Sequence, residues 1–184
     1  MKINKVYPNK WQTVPFTFDL FAGWKAQGRA AKELILKNEV IKDGNIAEMT
    51  FNIYRFSAVD SEGREYLIQE FSENNAVTFK GMQSGHFVRL GSLVNLPARD
   101  YTALRFHVRN QGNVLRYADG NEENANQLDH LDFTIENGFT IKDEGVLDLK
   151  LWFDLVPFHW NRHWKAFIEP FSNKNPRPRW ANSF

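Results

Sequence analysis

The densest set of potential ligands in this chain of 184 residues is Asp119-Gly120-Asn121-Glu122-Glu123-Asn124-Ala125-Asn126-Gln127-Leu128-Asp129. Calcium takes several carboxylate and amide oxygens from a flexible loop, so Asp119, Asn121, Glu123 and Asp129 are the candidate ligands. Their spacing departs from the EF-hand pattern, and a solvated acidic turn is the competing reading. The histidines are His86, His107, His130, His159 and His163. His159 and His163 would share a face of a helix, but no carboxylate lies between them. Their segment also sits between two apparent strands, which reads as a loop. The absence of cysteine excludes thiolate metal sites, a disulfide framework and a cysteine nucleophile. Gly81-Met82-Gln83-Ser84-Gly85 lacks the spacing of a nucleophile elbow, so Ser84 reads as a loop residue. Neither glycine-rich phosphate cradle occurs. A glycosidase pair needs two carboxylates at a separation fixed in three dimensions, and no such pair stands out. The chain reads as non-catalytic, without a cofactor unless calcium is one.

Aromatic residues carry the other signal. The chain holds 16 Phe and 6 Trp, and rings make up 15% of it. Trp152 falls on the polar side of its strand by alternation. Trp160 and Trp164 flank His163, Trp180 and Phe184 lie near one end, and Trp11 near the other. Exposed rings stack on sugars or anchor protein interfaces. These six are the candidates for an interface or for a polysaccharide, with packing beneath a second layer as the alternative.

Charge is segregated along the chain. Residues 1–42 carry a net charge of +5, 43–118 of zero, 119–154 of −8 and 155–184 of +4. Basic termini facing the acidic block 119–154 of a neighbour would steer and orient a homo-oligomer. The net charge of +1 lacks the basic excess of a duplex binder. No RNP-type or OB-like pattern points to single strands either, so nucleic acid is not an expected partner. No stretch has the ~18 apolar residues of a membrane span, and the N-terminal residues show no signal-peptide pattern. Two origins fit: a protein made without export, or a mature exported domain given a new start Met.

Alternation with a period of two dominates. Leu104, Phe106 and Val108 face one way, with Arg105, His107 and Arg109 the other. Leu131-Phe133-Ile135 and Leu147-Leu149-Leu151-Phe153 repeat the pattern. Further strands are expected at 16–21, 49–59, 66–71, 77–79, 87–90 and 166–169. Turns are expected at Asp43-Gly44-Asn45, Ser61-Glu62-Gly63, Asn137-Gly138 and Asp143-Glu144-Gly145, whose residues tolerate positive φ. Residues 30–37 read as the one helix or equally as a strand. About eight short strands predict an all-β fold, an antiparallel β-sandwich of one domain over residues 1–171. Residues 172–184 read as a Pro/Arg/aromatic tail. Pro176 and Pro178 bar a helix or a central strand there. Cover for its rings must come from its own domain or a neighbouring subunit.

The run Leu90-Gly91-Ser92-Leu93-Val94-Asn95-Leu96-Pro97-Ala98-Arg99-Asp100-Tyr101-Thr102-Ala103-Leu104-Arg105-Phe106-His107-Val108 resembles the core of the domain of unknown function 4382 family of bacterial and archaeal exported proteins. That family has a Leu-Pro-Ala-Gly-x-Tyr segment before an Ile/Leu-Arg-Leu-x-Val strand. Asn137-Gly138-Phe139-Thr140-Ile141 is similar to its Gly-Phe-Thr-Val element, and residues 147–155 to its Leu-x-Leu-x-Phe-Asp strand. Ala118-Asp119-Gly120 matches its Asp-Gly turn, and Lys165-Ala166-Phe167-Ile168-Glu169-Pro170 its closing strand. The likeness spans about residues 47–171. Arg99 stands where the family has glycine, residues 22–46 resemble an insertion, and the lipoprotein signal and a counterpart for the tail are missing. The resemblance implies a transthyretin-like or immunoglobulin-like sandwich at a cell surface, and no chemistry.

The expected function is a self-assembling structural subunit, a filament or layer at a cell surface or outside the cell. A carbohydrate-binding module and a viral jelly-roll capsid or fibre subunit are the alternatives.

Overall fold

The computed structural model describes residues 11–15, 30–72, 74–90, 94–142 and 145–158. The strands are β1 (Trp11–Pro15), β2 (Ala30–Lys37), β3 (Ile46–Asp60), β4 (Glu65–Glu70), β5 (Ala76–Lys80), β6 (His86–Leu90), β7 (Val94–Leu96), β8 (Asp100–Val108), β9 (Val114–Tyr117), β10 (Glu122–Asn124), β11 (His130–Thr140) and β12 (Gly145–Phe153). A one-turn helix, α1 (Glu39–Asp43), and a 3-10 turn at Met82–Ser84 are the helical pieces among the described residues. The chain is all-β, as its alternation predicts, and the strands form a curled sheet ordered β1-β6-β12-β2-β11-β8-β3-β9-β10. β4 and β5 pair with β3, and β7 with β12. Pairing is antiparallel except between β2 and β12, which run parallel.

The core lies inside the curl. Alternation carries Leu104, Phe106 and Val108 inward from β8, and Leu131, Phe133 and Ile135 from β11. Phe106 is the hub. Its ring centroid lies 4.8 Å from Phe56 of β3, 5.3 Å from Phe79 of β5 and 5.7 Å from Phe133 of β11. Trp11 of β1 at 5.8 Å and Phe153 of β12 at 6.1 Å complete the set. β5 also lies beside β1, where the Thr13 hydroxyl donates to the Thr78 carbonyl. That contact brings β5, held by β3, against the far end of the strand order.

β3 serves two groups of strands. Through Asn52 it pairs with β5, and through Thr50 with β9; from Ile53 onward it pairs with β8 and then β4. A strand that changes partners leaves backbone groups without ladder partners, and buried ones must be satisfied. Asparagines do so here. Asn113 Oδ1 accepts the Asn52 N–H at 3.0 Å, Asn52 Oδ1 accepts the Asn75 N–H at 2.9 Å, and Asn126 Oδ1 accepts the Asn113 N–H at 2.9 Å. Asn52 and Asn113 are both buried.

Several sequence expectations change. Residues 30–37 are the strand β2, with Leu34 and Leu36 in the core, because β11 and β12 flank them on both sides. Asn137 and Gly138 do have positive φ, 65° and 58°, but they do not end a strand. They form an irregularity inside β11, whose pairing with β8 skips from Thr134 to Phe139. Gly138 is required there, since a Cβ would sit 3.1 Å from the Tyr101 carbonyl oxygen. The hairpin at Ser61-Glu62-Gly63 forms as expected and joins β3 to β4, with Gly63 at φ 79°. Buried Asp60 holds it, its Oδ1 accepting the Glu62 and Arg64 N–H groups at 2.9 Å each. Tyr101 anchors β8 by donating its hydroxyl to the Pro97 carbonyl at 2.9 Å. The strands expected at 16–21 and 166–169, and the tail 172–184, lie outside the described residues.

Phe106→Ala is expected to cost about 3–5 kcal/mol of unfolding free energy, because it opens a cavity between five rings. Asn113→Ala is expected to cost about 1–3 kcal/mol by leaving the Asn52 N–H buried and unpaired. Urea unfolding measures both, and a loss below about 1 kcal/mol for Phe106→Ala would remove it as the hub.

Candidate functional site

The outward face of β4, β3, β8 and β11 carries the most connected polar cluster. A break in the alternation of β3 builds it. Met49, Phe51 and Ile53 face the core, and so do Phe56 and Ala58, which leaves Tyr54 and Arg55 together between the two sets. The pairing shows the cause: Ile53 opposes Val108 and Arg55 opposes His107, with Tyr54 the extra residue of a bulge. The bulge puts Tyr54 and Arg55 side by side on the outer face, and Tyr54 is 38% exposed. Arg109 lies over the Tyr54 ring at 5.6 Å and donates to the Phe71 carbonyl at 3.1 Å.

Glu65 of β4 is the centre of this face. Its Oε1 is 2.8 Å from His107 Nε2, its Oε2 accepts Arg105 Nη1 at 3.2 Å, and Arg55 Nη2 lies 3.7 Å from Oε1. Burial alone would raise the Glu65 pKa. The hydrogen bond from His107, with the charges of His107 and Arg55, outweighs it and holds the carboxyl down at about 2. Arg105 continues the network across the sheet and grips Asp132 with two hydrogen bonds, Nε to Oδ1 at 2.7 Å and Nη2 to Oδ2 at 2.6 Å. The Asp132 hydrogen bond outweighs burial and raises the Arg105 pKa. His130 stands directly across from His107, ring centroids 6.0 Å apart. The Glu65 carboxyl is thus held ionised by fixed partners. General acid chemistry needs a carboxyl that keeps its proton near neutral pH, and this arrangement does the opposite.

The acidic loop resolves into a hairpin of β9 and β10 that turns at Gly120, φ 89°. Asp119 accepts from the Asn121 backbone at 3.1 Å and from its amide side chain at 2.9 Å, and Glu123 accepts from the Tyr117 hydroxyl. Asp129 is exposed just before β11. Of the four calcium candidates, Asp119 and Asn121 lie at the turn, Glu123 on β10 and Asp129 beyond the hairpin. Among the described residues no group of three or more His, Asp and Glu is placed to hold a metal ion.

Trp11 is corrected from an exposed anchor to a core residue. It is 2% exposed, edge-on to Phe56 at 5.0 Å, because β1 pairs along β6 and turns the ring inward. Trp152 lies on the polar side of β12, half-buried, with Phe87 5.4 Å away and Lys150 Nζ 4.9 Å from its ring centroid. Its Nε1 donates to Glu33 at 3.3 Å, so neighbours already take up much of what a sugar would touch. Trp160, Trp164, Trp180, Phe184, His159 and His163 lie outside the described residues. Ser84 lies in the 3-10 turn, where its hydroxyl is 2.7 Å from the Gly81 carbonyl oxygen and 3.1 Å from His86 Nδ1.

The Glu65 cluster escaped the sequence reading, although the two consecutive outward residues of β3 were its signal. The cross-strand partners follow only from register. No family model matches the chain, and no curated protein or solved structure matches it either.

A carboxyl with a lowered folded pKa stabilises the fold fully above its unfolded pKa, near 4.5, and loses that contribution as pH falls toward 2. Glu65→Gln is therefore expected to cost about 1–2 kcal/mol at pH 7 and to flatten stability against pH between those values. Chemical unfolding across a pH series measures this, and parallel curves for the two proteins would refute it.

Proposed function

We propose that the protein is a non-catalytic all-β scaffold that self-associates as a subunit of a structure at a cell surface or outside the cell. The observation that carries this reading is how the acidic block 119–154 is used. Several of its charges are neutralised within the chain: Asp132 by Arg105, Glu136 by Lys37 at 2.7 Å, and Asp154 by Lys42 at 3.0 Å. Asp148 is buried. At and just beyond the β9–β10 hairpin, Glu122, Glu123 and Asp129 are exposed, with Glu122 paired to Arg116. Both terminal regions are basic, +5 over residues 1–42 and +4 over 155–184. One chain thus offers an acidic end of a sheet and basic termini, which suits head-to-tail association. The locked carboxylates Glu65 and Asp132 support the non-catalytic part of the reading. The location rests on the family resemblance alone.

Light scattering of the full chain at low and high salt tests the proposal. An assembly that is large at low salt and shrinks at high salt is expected, since exposed charges are screened beyond about 10 Å at 0.1 M. A monomer at both salts would overturn it.

A further inference from the structure

We propose that residues 174–180 of a second copy lie along the outer edge of β10, with Lys174, Arg177 and Arg179 against Glu122, Glu123 and their acidic neighbours. This rests on the self-association just proposed and names the two surfaces that meet. β10 ends the strand order, and among the described residues it pairs with β9 alone. Glu122, Glu123 and Asn124 are all exposed in the single chain. A strand edge offers a row of backbone donors and acceptors, and a short acidic edge repels other acidic or apolar strands.

The C-terminal sequence fits that edge in two respects. Asn173-Lys174-Asn175-Pro176-Arg177-Pro178-Arg179-Trp180 holds three cations and no acid. Its prolines also alternate with residues that keep their N–H. In an extended segment, successive N–H groups point to opposite edges, so Pro176 and Pro178 disarm one edge while Asn175, Arg177 and Arg179 can donate from the other. Such a segment adds to a sheet as its last strand and recruits no further strand. Side chains alternate in the same way, so Arg177 and Arg179 share one face while Pro176, Pro178 and Trp180 share the opposite one. Glu122 is already held by Arg116, which is held in turn by Glu48 at 2.9 Å, so the acidic edge is presented in a fixed geometry. Described chain ends at Phe158, leaving 26 residues beyond it in a sequence of 184, long enough to reach a neighbour. The N-terminal residues are basic as well but lack the proline alternation.

The test is charge reversal in the full chain, read by sedimentation velocity at about 50 mM salt, where surface charges act at long range. Arg177→Glu with Arg179→Glu should weaken association at least tenfold, and so should Glu122→Lys with Glu123→Lys. Arg116 keeps Glu48 in the latter, and circular dichroism checks its fold. Mixing the two reversed proteins should still leave each unable to self-associate by this contact but restore pairing of one tail with the other's edge. Association that ignores both reversals would overturn this contact while leaving self-association through another face. A wild-type chain that is monomeric throughout would overturn both proposals. A monomer whose thermal midpoint follows the charge pattern would place the tail on its own chain and overturn the second copy as occupant.

Discussion

A sheet that curls must have something to curl around, and here that something is Phe106. Its ring meets rings from β1, at one end of the strand order, from β12, β11 and β3 along it, and from β5, which pairs with β3. Strand twist supplies a tendency to curl, but twist alone does not choose which strands approach one another. The ring cluster does, because burying it requires β5 and β1 to come together over β8, β11 and β12. A chain with 16 Phe can meet that demand without cysteines to staple it.

β3 is the strand on which this closure and the outer face both depend. Its fifteen residues pair with β5 and β9 at one end and with β4 and β8 at the other. The change of partners comes at Asn52 and Ile53, and the bulge at Tyr54 follows at once. The asparagine network and the bulge solve related problems in adjacent residues. Asn52 and Asn113 satisfy backbone groups where the ladder breaks. The bulge then restores the inward phase for Phe56 and Ala58, and in doing so leaves Tyr54 and Arg55 beside His107 and Glu65. The outer cluster is in this sense a consequence of how the core strand turns its corner.

Legibility followed the period. β8, the first half of β11 and β12 alternate cleanly, so their core residues could be read directly. β2 could not, because Leu34-Ile35-Leu36 fits a helix or a buried strand, and its parallel partner β12 lies more than a hundred positions away. Asn137-Gly138 has the residues of a turn, and local chemistry cannot tell a turn from a bulge when both need positive φ. Trp11 looked like part of a basic, aromatic end, and only its pairing with β6 reveals that it is core. The Glu65 network was least legible: its members come from four strands, and ion pairs across strands depend on register rather than on spacing.

Charge patterning shows why a sequence-level count needs a fold beneath it. The acidic block looks uniform as a string, yet the sheet divides it. Register brings Lys37 beside Glu136, and the last turn of α1 brings Lys42 to Asp154, so basic residues of the N-terminal region are consumed inside the chain. Arg105 does the same to Asp132. These pairs are partly exposed, so each contributes little to stability. Their larger effect is on what the surface displays, because they cancel charge over the middle of the sheet, while at the β9–β10 hairpin Glu122 is paired with Arg116 and Glu123 stays exposed. In the proposed self-association, an interface drawn by charge would form at that edge rather than across the sheet face, since long-range attraction acts on the charge left uncompensated. The same internal pairs that add little to folding would then decide where a basic partner is drawn.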